Sequence, residues 1–431
     1  MATTIEIVPI APFSDGQGEG RKIGRSGLGK RTSKLLKSKY LKDNLGAMSR
    51  VALARYVMSR LETPPDYTRY PELQDVYPER LDRLRGLAKG AGCSLEEAAV
   101  ADYVAFKEEI DRWWHSLQLQ REPGRGPHCS GVMIVGPDGV IGGQSAESGP
   151  PPMPRGYKPK TPGPCNGRGP QTRAVAFGGP IRTLRPVYPR KLVLRKPRTG
   201  YIASWGTTNE KGLGGVSGNS NSTWLDEPIE DTWPIGQVPL LRFAANVQDL
   251  VDLWTRYTLH NWGRGSSLFG DIHGDAVAVE KSFRRVDFRR INGGQAIWTT
   301  EGYFHCPQMN AFQRQKRLEY VEKKGVGLGA GDLQYANDCQ VRFTRLAELC
   351  SQPWGYGYDH IRRVLTDHAP FPRAVCRHGG PDTAPYDNSV TMDSGFSDLT
   401  HNRSFSRGWI PWKKFPCEMP EKVTQYPARP A

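Results

Sequence analysis

"GPHCSGVMIVGPDGVIGGQSAES", residues 126–148, decides how this chain is read. After Cys129 the apolar period changes to two, and apolar residues flank "GPDG" on both sides. Val132 and Ile134 come before it, and Val140 and Ile141 after it, so the stretch reads as a β-hairpin. Cys129 stands at the head of the first strand. It is a packing residue, a metal ligand or a nucleophile. A free cysteine usually behaves as a small buried hydrophobe. A thiolate becomes a strong nucleophile once a base lies beside it. If the bond before Cys129 were cut, the new α-amine, with a pKa of about 7.7–8.0, would be that base. The preceding "QREPGRGP", residues 120–127, reads as the loop that such a cleavage needs.

Upstream of the hairpin the pattern is helical. Residues 1–30 are Gly-rich and charged and read as a loosely attached arm. From Ser33 to Leu61, Leu, Val and Ala recur at three- and four-residue spacing. In "YPERLDRLRGLAKGAGCSLEEAAVADYVAFKEEI", residues 77–110, Leu81, Leu84, Leu87 and Ala88 share one face. Gly90 and Gly92 mark the stop, and Ser94 with Glu97 forms a capping box for the next helix. The segment before the nucleophile, 31–128, is therefore helical as far as about Leu119.

Downstream, residues 149–189 are a Pro-rich basic insertion without apolar periodicity. Strand patterns resume in "KLVLRKP", "GYIASWG", "GLGGVSGNSN", "DAVAVEKSFRRVDF" and "QAIWTTEGYFH". "QRQKRLEYVEKKG" and "DLQYANDCQVRFTRLAELC" read as helices. "RAVCRHG" and "NSVTMDS" read as closing strands before a Trp- and Pro-rich packed tail. Helices, strands, helices, then strands imply an α+β layered architecture with antiparallel sheets, not a βαβ array.

The chain has 431 residues and a net charge of +15. Residues 21–55 carry a local +10 and residues 150–200 a local +12, so the remainder is acidic. Such basic segments are solvated loops or bind anions, such as nucleic acid, phosphate-bearing ligands or a membrane surface. The eight cysteines are scattered without CxxC spacing, which argues against a structural zinc site and against a disulfide framework. No apolar run is long enough to span a membrane, and the N-terminus carries no secretory pattern. The expected compartment is cytoplasmic. Asp367–His368 is too common a pair to imply a metal. His368 and His378 read as structural hydrogen-bonders, and the cysteines other than Cys129 as packing residues.

Four stretches, in order, resemble the acyl-coenzyme A:6-aminopenicillanate acyltransferase-like family of N-terminal-nucleophile hydrolases. They are "YPERLDRLRGLAKGAGCSLEEAAVADY", "HCSGVMIVGPDGVIGGQSAES", "TTNEKGLGGVSGNSNS" and "LTDHAPFPRAVCRHGGPDTAPYDNSV". The likeness runs from about residue 75 to 393. It implies a four-layer αββα sandwich that cleaves itself before Cys129. The products would be an α-chain of residues 1–128 and a β-chain of residues 129–431, held as a heterodimer. It implies Cys129 as nucleophile, and Glu147 as the carboxylate that orients the new amine. Arg377 of "CRH" would lie near the nucleophile, and Asn219 would serve the oxyanion hole in preference to Asn221. His305 is what survives of the family's "TNHF" stretch, read here as "GYFHC". Ser145 and Glu147 stand where the family has Asn and Asp, and His128 where a small residue is commoner.

The activity implied is that of an amidohydrolase or acyltransferase. A small-molecule amide or acyl thioester would form an acyl-enzyme on Cys129, with no metal or organic cofactor. For a coenzyme A thioester, Arg182, Arg185, Arg190 and Lys191 would hold the phosphates. The alternative is an unprocessed, non-catalytic basic protein on the same fold that recognises a polyanion. Nucleic acid is the weaker expectation there, because no helix-turn-helix, zinc-finger or RRM signature is present.

Overall fold

The computed structural model describes residues 4–9, 11–118, 128–148, 191–196, 208–219, 233–235, 240–257, 265–282, 285–291, 295–300, 304–324, 330–370, 374–378, 390–408 and 415–426. "GYIASWG" and the whole of the basic insertion, 149–189, lie outside these residues.

Four helices come first: α1 Pro12–Leu36, α2 Arg50–Glu62, α3 Leu73–Ala91 and α4 Leu95–Gln118. The residues expected to stop and restart the chain do so. Gly92 caps α3 in the left-handed region at φ 67°. Ser94 N–H donates to Glu97 Oε2 at 2.9 Å, and Glu97 N–H donates to Ser94 Oγ at 3.1 Å, opening α4. The expected arm is the exception. Strand β1, Thr4–Pro9, pairs in parallel with β4, Lys191–Lys196, and residues 12–36 are helical. The reason is steric. Gly16 and Gly20 of α1 lie against Gly86 and Gly90 of α3, and a Cβ on any of the four would collide with the facing backbone. In one sequence such glycines resemble a flexible tail; set against a second glycine pair they let two helices approach closely.

The expected hairpin forms from β2, His128–Gly136, and β3, Gly139–Ser148. Its register runs from His128↔Glu147 to Gly136↔Gly139, leaving Pro137 and Asp138 as the turn. Four further strands complete a six-stranded antiparallel sheet in the order β12-β11-β10-β3-β2-β9. They are β9 Ala296–Thr300, β10 Val390–Asp398, β11 Arg403–Gly408 and β12 Lys422–Gln425. A second antiparallel sheet orders β5 Gly214–Asn219, β6 Gly265–Gly270, β7 Ala276–Lys281 and β8 Val286–Arg290.

Period-two alternation gives each sheet two buried faces. Met133, Val140 and Ile297 of the first sheet pack on Val216, Leu268, Ala276 and Ala278 of the second. Val132, Ile134, Ile141, Phe396 and Phe405 point the other way. They meet α7, Ala330–Cys350, and α8, Tyr358–Leu365, through Leu346, Leu349, Ile361 and Leu365. The far face of the second sheet, with Phe269, Val277 and Val279, packs on α5, Val247–Arg256, and on the start of α3. Helix α6, Pro307–Lys324, precedes α7.

"RAVCRHG" is not a strand over its described residues, 374–378. Its main chain is tied instead by isolated bonds. Cys376 N–H donates to Asp367 O at 2.9 Å, and Thr391 N–H donates to Arg377 O at 2.9 Å. Among the described residues, no helix is long and apolar enough to cross a membrane.

Candidate active site

The hairpin register sets Cys129 opposite Ala146, and His128 opposite Glu147. Alternation then separates the two key side chains. Cys129 shares its face with Gly131 and Met133, toward the second sheet. Glu147 and Ser145 share the other face with Ile141, toward α7 and α8. The Cys129 main chain, rather than its thiol, is thus what shares a layer with the Glu147 carboxylate.

That layer is organised by Arg342 of α7, a residue absent from the sequence reading. Arg342 is wholly buried. Its Nη1 donates to Ser130 Oγ at 3.0 Å and to Cys129 O at 3.4 Å, and lies 3.6 Å from Glu147 Oε2. Its Nη2 lies 3.7 Å from Cys339 Sγ. Glu147 is fixed on its other side. Ser145 Oγ donates to Glu147 Oε1 at 2.7 Å, and Thr391 Oγ1 lies 3.4 Å from the same oxygen. A buried carboxylate needs such partners, because desolvation otherwise disfavours its charge.

The remaining expected residues sit around this layer. Arg377 is buried, and its N–H donates to Thr391 Oγ1 at 2.7 Å. Thr391 is the β10 partner of Glu147, so the "CRH" backbone is joined to the Glu147 layer through one residue. His305 lies on the β9 side, with Nε2 3.3 Å from Thr300 Oγ1, and Thr300 pairs with Ser130. Its ring stacks on Phe343 of α7. Burial, and then the Arg289 charge, hold the His305 imidazole well below its ordinary value, so it is neutral near pH 7. Asn219 ends β5 in the second sheet, opposite Gly265, and its side chain lies outside the described residues. So do the side chains of Arg182, Arg185, Arg190 and Lys191.

On the thiol's own face, the space between the sheets turns polar where β2 begins. Ser266 pairs with Glu280, and both fall on the inward positions that Leu268 and Ala278 continue. Thr299, opposite Gly131, faces them from β9. The Ser266 and Thr299 hydroxyls are buried without a hydrogen-bond partner among the described residues. Glu280 accepts the backbone N–H groups of His305, at 2.7 and 2.8 Å, and of Cys306, at 2.7 Å. Burial still pushes its carboxyl up to about 7. A carboxyl poised there can give or take a proton at neutral pH. A glutamate on the inward register of "AVAVEK" is the signal by which sequence could have found it. Among the described residues, no metal-ligating cluster includes Cys129.

No family profile and no curated protein matches the chain. Solved structures that resemble it include a mutant of conjugated bile acid hydrolase from Clostridium perfringens. That pair has 12% identity and a TM-score of 0.35, over 70% of this chain and 97% of the other. Penicillin V acylase from Agrobacterium tumefaciens has 16% identity and a TM-score of 0.33, over 67% and 88%. A second variant of the bile acid hydrolase has 11% identity and a TM-score of 0.30, over 72% and 94%. Likeness at this level assigns neither a family nor an activity to this chain.

Proposed function

We propose that the chain is a self-processing cysteine amidohydrolase or acyltransferase of the N-terminal-nucleophile kind, its packed layers forming the four-layer αββα sandwich of such enzymes. The observation that carries the reading is the setting of the 128–129 peptide. Cys129 heads the hairpin, His128 faces Glu147 across it, and Cys129 O lies 3.4 Å from a wholly buried guanidinium. Cys129 is only 5% exposed in the intact chain. That does not hinder a first step whose electrophile is the adjoining peptide.

In that step the Cys129 sulfur attacks the His128 carbonyl carbon. The C–N bond breaks, its nitrogen takes a proton, and a thioester links His128 to Cys129. Water then cleaves the thioester, leaving a carboxylate on His128 and a free thiol and amine on Cys129. In turnover the amine takes the thiol proton, and the thiolate attacks the substrate carbonyl. Collapse of the tetrahedral intermediate expels the leaving group, which receives that proton. Water or an acceptor amine then releases the acyl group from sulfur. Glu147, held by Ser145 and Arg342, lies on the main-chain side of Cys129, where it can orient the new amine. Asn219 is the oxyanion donor in this reading, a role whose loss typically costs about 10²–10³ in rate. Arg377 would favour the thiolate, and His305 would act as a neutral ring from the Thr300 side of the Cys129 main chain. The substrate is a small amide or an acyl thioester.

Intact-mass analysis of the purified protein tests the reading. Two pieces are expected, 1–128 and 129–431, with a single 48.1 kDa chain for Cys129→Ala. Full turnover by Cys129→Ala on a panel of N-acyl amides and acyl thioesters that the native protein accepts would overturn it.

A further inference from the structure

We propose a structural zinc site built from His368, Cys376, His378 and Cys417. Each residue offers one ligand atom, and all four atoms lie within 4.8 Å of one another. Two thiolates and two imidazoles are a preferred donor set for tetrahedral zinc. With Zn–S bonds of about 2.3 Å and Zn–N bonds of about 2.0–2.1 Å, a filled tetrahedron has edges of about 3.3–3.8 Å. The His378 Nε2 to Cys417 Sγ separation, 3.0 Å, is slightly shorter than such an edge and must open by about 0.5 Å, while the remaining pairs need to close by about 1.5 Å at most. Rotation of the half-buried His368 and Cys417 side chains supplies a movement of that size.

The residues that hold the four ligands in place point the same way. Cys376 N–H donates to Asp367 O at 2.9 Å, which fixes Cys376 beside His368. The Asp367 carboxylate is clamped by Arg345, through Nε at 3.0 Å and Nη2 at 2.7 Å. On the tail side, Phe415 stacks on the His378 ring, and its N–H donates to Glu418 Oε2 at 2.8 Å, bracing the short turn that carries Cys417. Cys376 and His378 are 1% and 5% exposed, a degree of enclosure that suits a closed four-ligand site rather than one open to substrate.

Linear spacing hides this set. His368, Cys376 and His378 lie within eleven residues, but Cys417 arrives 39 residues later. Arg377 lies between two of the ligands, and its main chain is bonded to Thr391, the partner of Glu147. Zinc would therefore tie the C-terminal tail to the loop that holds Arg377 against the Glu147 layer. The proposal is independent of the reading of Cys129, and either can fail alone.

The test uses the full-length protein, stripped with a chelator under reducing conditions and then titrated with Zn²⁺ and, separately, with Co²⁺. One equivalent of zinc should bind tightly and raise the thermal midpoint. Cobalt should give tetrahedral ligand-field bands with thiolate-to-metal charge transfer. Cys417→Ser and His378→Gln should each lose that equivalent, while Cys93→Ser and Cys129→Ala keep it. Retention of zinc by both ligand variants would overturn the site. So would the absence of a stoichiometric equivalent in the native protein, or a Cys376–Cys417 disulfide in the protein as purified. Should the ligand variants not fold, the cobalt spectrum of the native protein decides: six-coordinate bands without thiolate charge transfer would overturn it equally.

Discussion

Arg342 Nη1 and Glu147 Oε2 lie 3.6 Å apart, and neither side chain reaches solvent. Each charge is tolerable there because the other is present. Removing one partner of a buried pair strands the other and typically costs about 3–5 kcal/mol. Arg342→Met and Glu147→Gln should each destabilise the protein by that order in denaturant unfolding. The combined variant should cost less than the sum, because the second change relieves the charge the first one stranded. Strict additivity would show that the two groups do not act as a pair.

Glu280 and His305 should give stability opposite pH dependences. The Glu280 carboxyl is raised by burial to about 7. An unfolded glutamate releases its proton near 4.3, whereas the native one keeps it until about 7. Folding is therefore opposed increasingly from about pH 4.5 to pH 7, by on the order of 3 kcal/mol in all. His305 is held well below its ordinary value. Its neutral native form contributes stability above about pH 6.5 that is lost as pH falls and the unfolded imidazole protonates. Thermal midpoints measured from pH 5 to 7 should gain on the native protein in Glu280→Gln as pH rises. In His305→Gln they should gain as pH falls. Parallel profiles for all three proteins would refute the assignment.

The glycines of α1 should not be equivalent. Gly18 is exposed, with open space where a Cβ would go, so Gly18→Ala should add up to about 1 kcal/mol of helix propensity. Gly16→Ala and Gly86→Ala gain the same propensity but drive a methyl into facing backbone. The helices must then separate, and a net loss of about 1–3 kcal/mol is expected. Thermal unfolding of the three variants checks the sign of each.

Cleavage should change the reactivity of Cys129. In the intact chain it is buried, while Cys93 and Cys417 are partly exposed. Brief iodoacetamide treatment followed by peptide mass mapping should label Cys129 in processed protein far faster than in any residual uncleaved chain, and labelling should abolish turnover. Equal labelling rates would show that processing does not open the site.

What the sequence determined by itself is local. The Pro137–Asp138 turn, the Ser94–Glu97 box and the Gly92 cap are each specified within a few residues, by period, donor chemistry or backbone freedom. The hairpin that carries Cys129 is therefore legible without a structure, as is the pairing of His128 with Glu147 once the turn is known. Tertiary structure decided the rest. Arg342 is one arginine in a charged helix until α7 packs beneath β2 and buries it against Glu147. Gly16 and Gly20 read as a tail until Gly86 and Gly90 face them. Cys417 joins His368, Cys376 and His378 only because a distant tail returns to the "CRH" loop. In each case the deciding quantity is the loss of water around a polar group, or contact between backbones, brought about by residues far apart in the chain. Local periodicity carries no record of either.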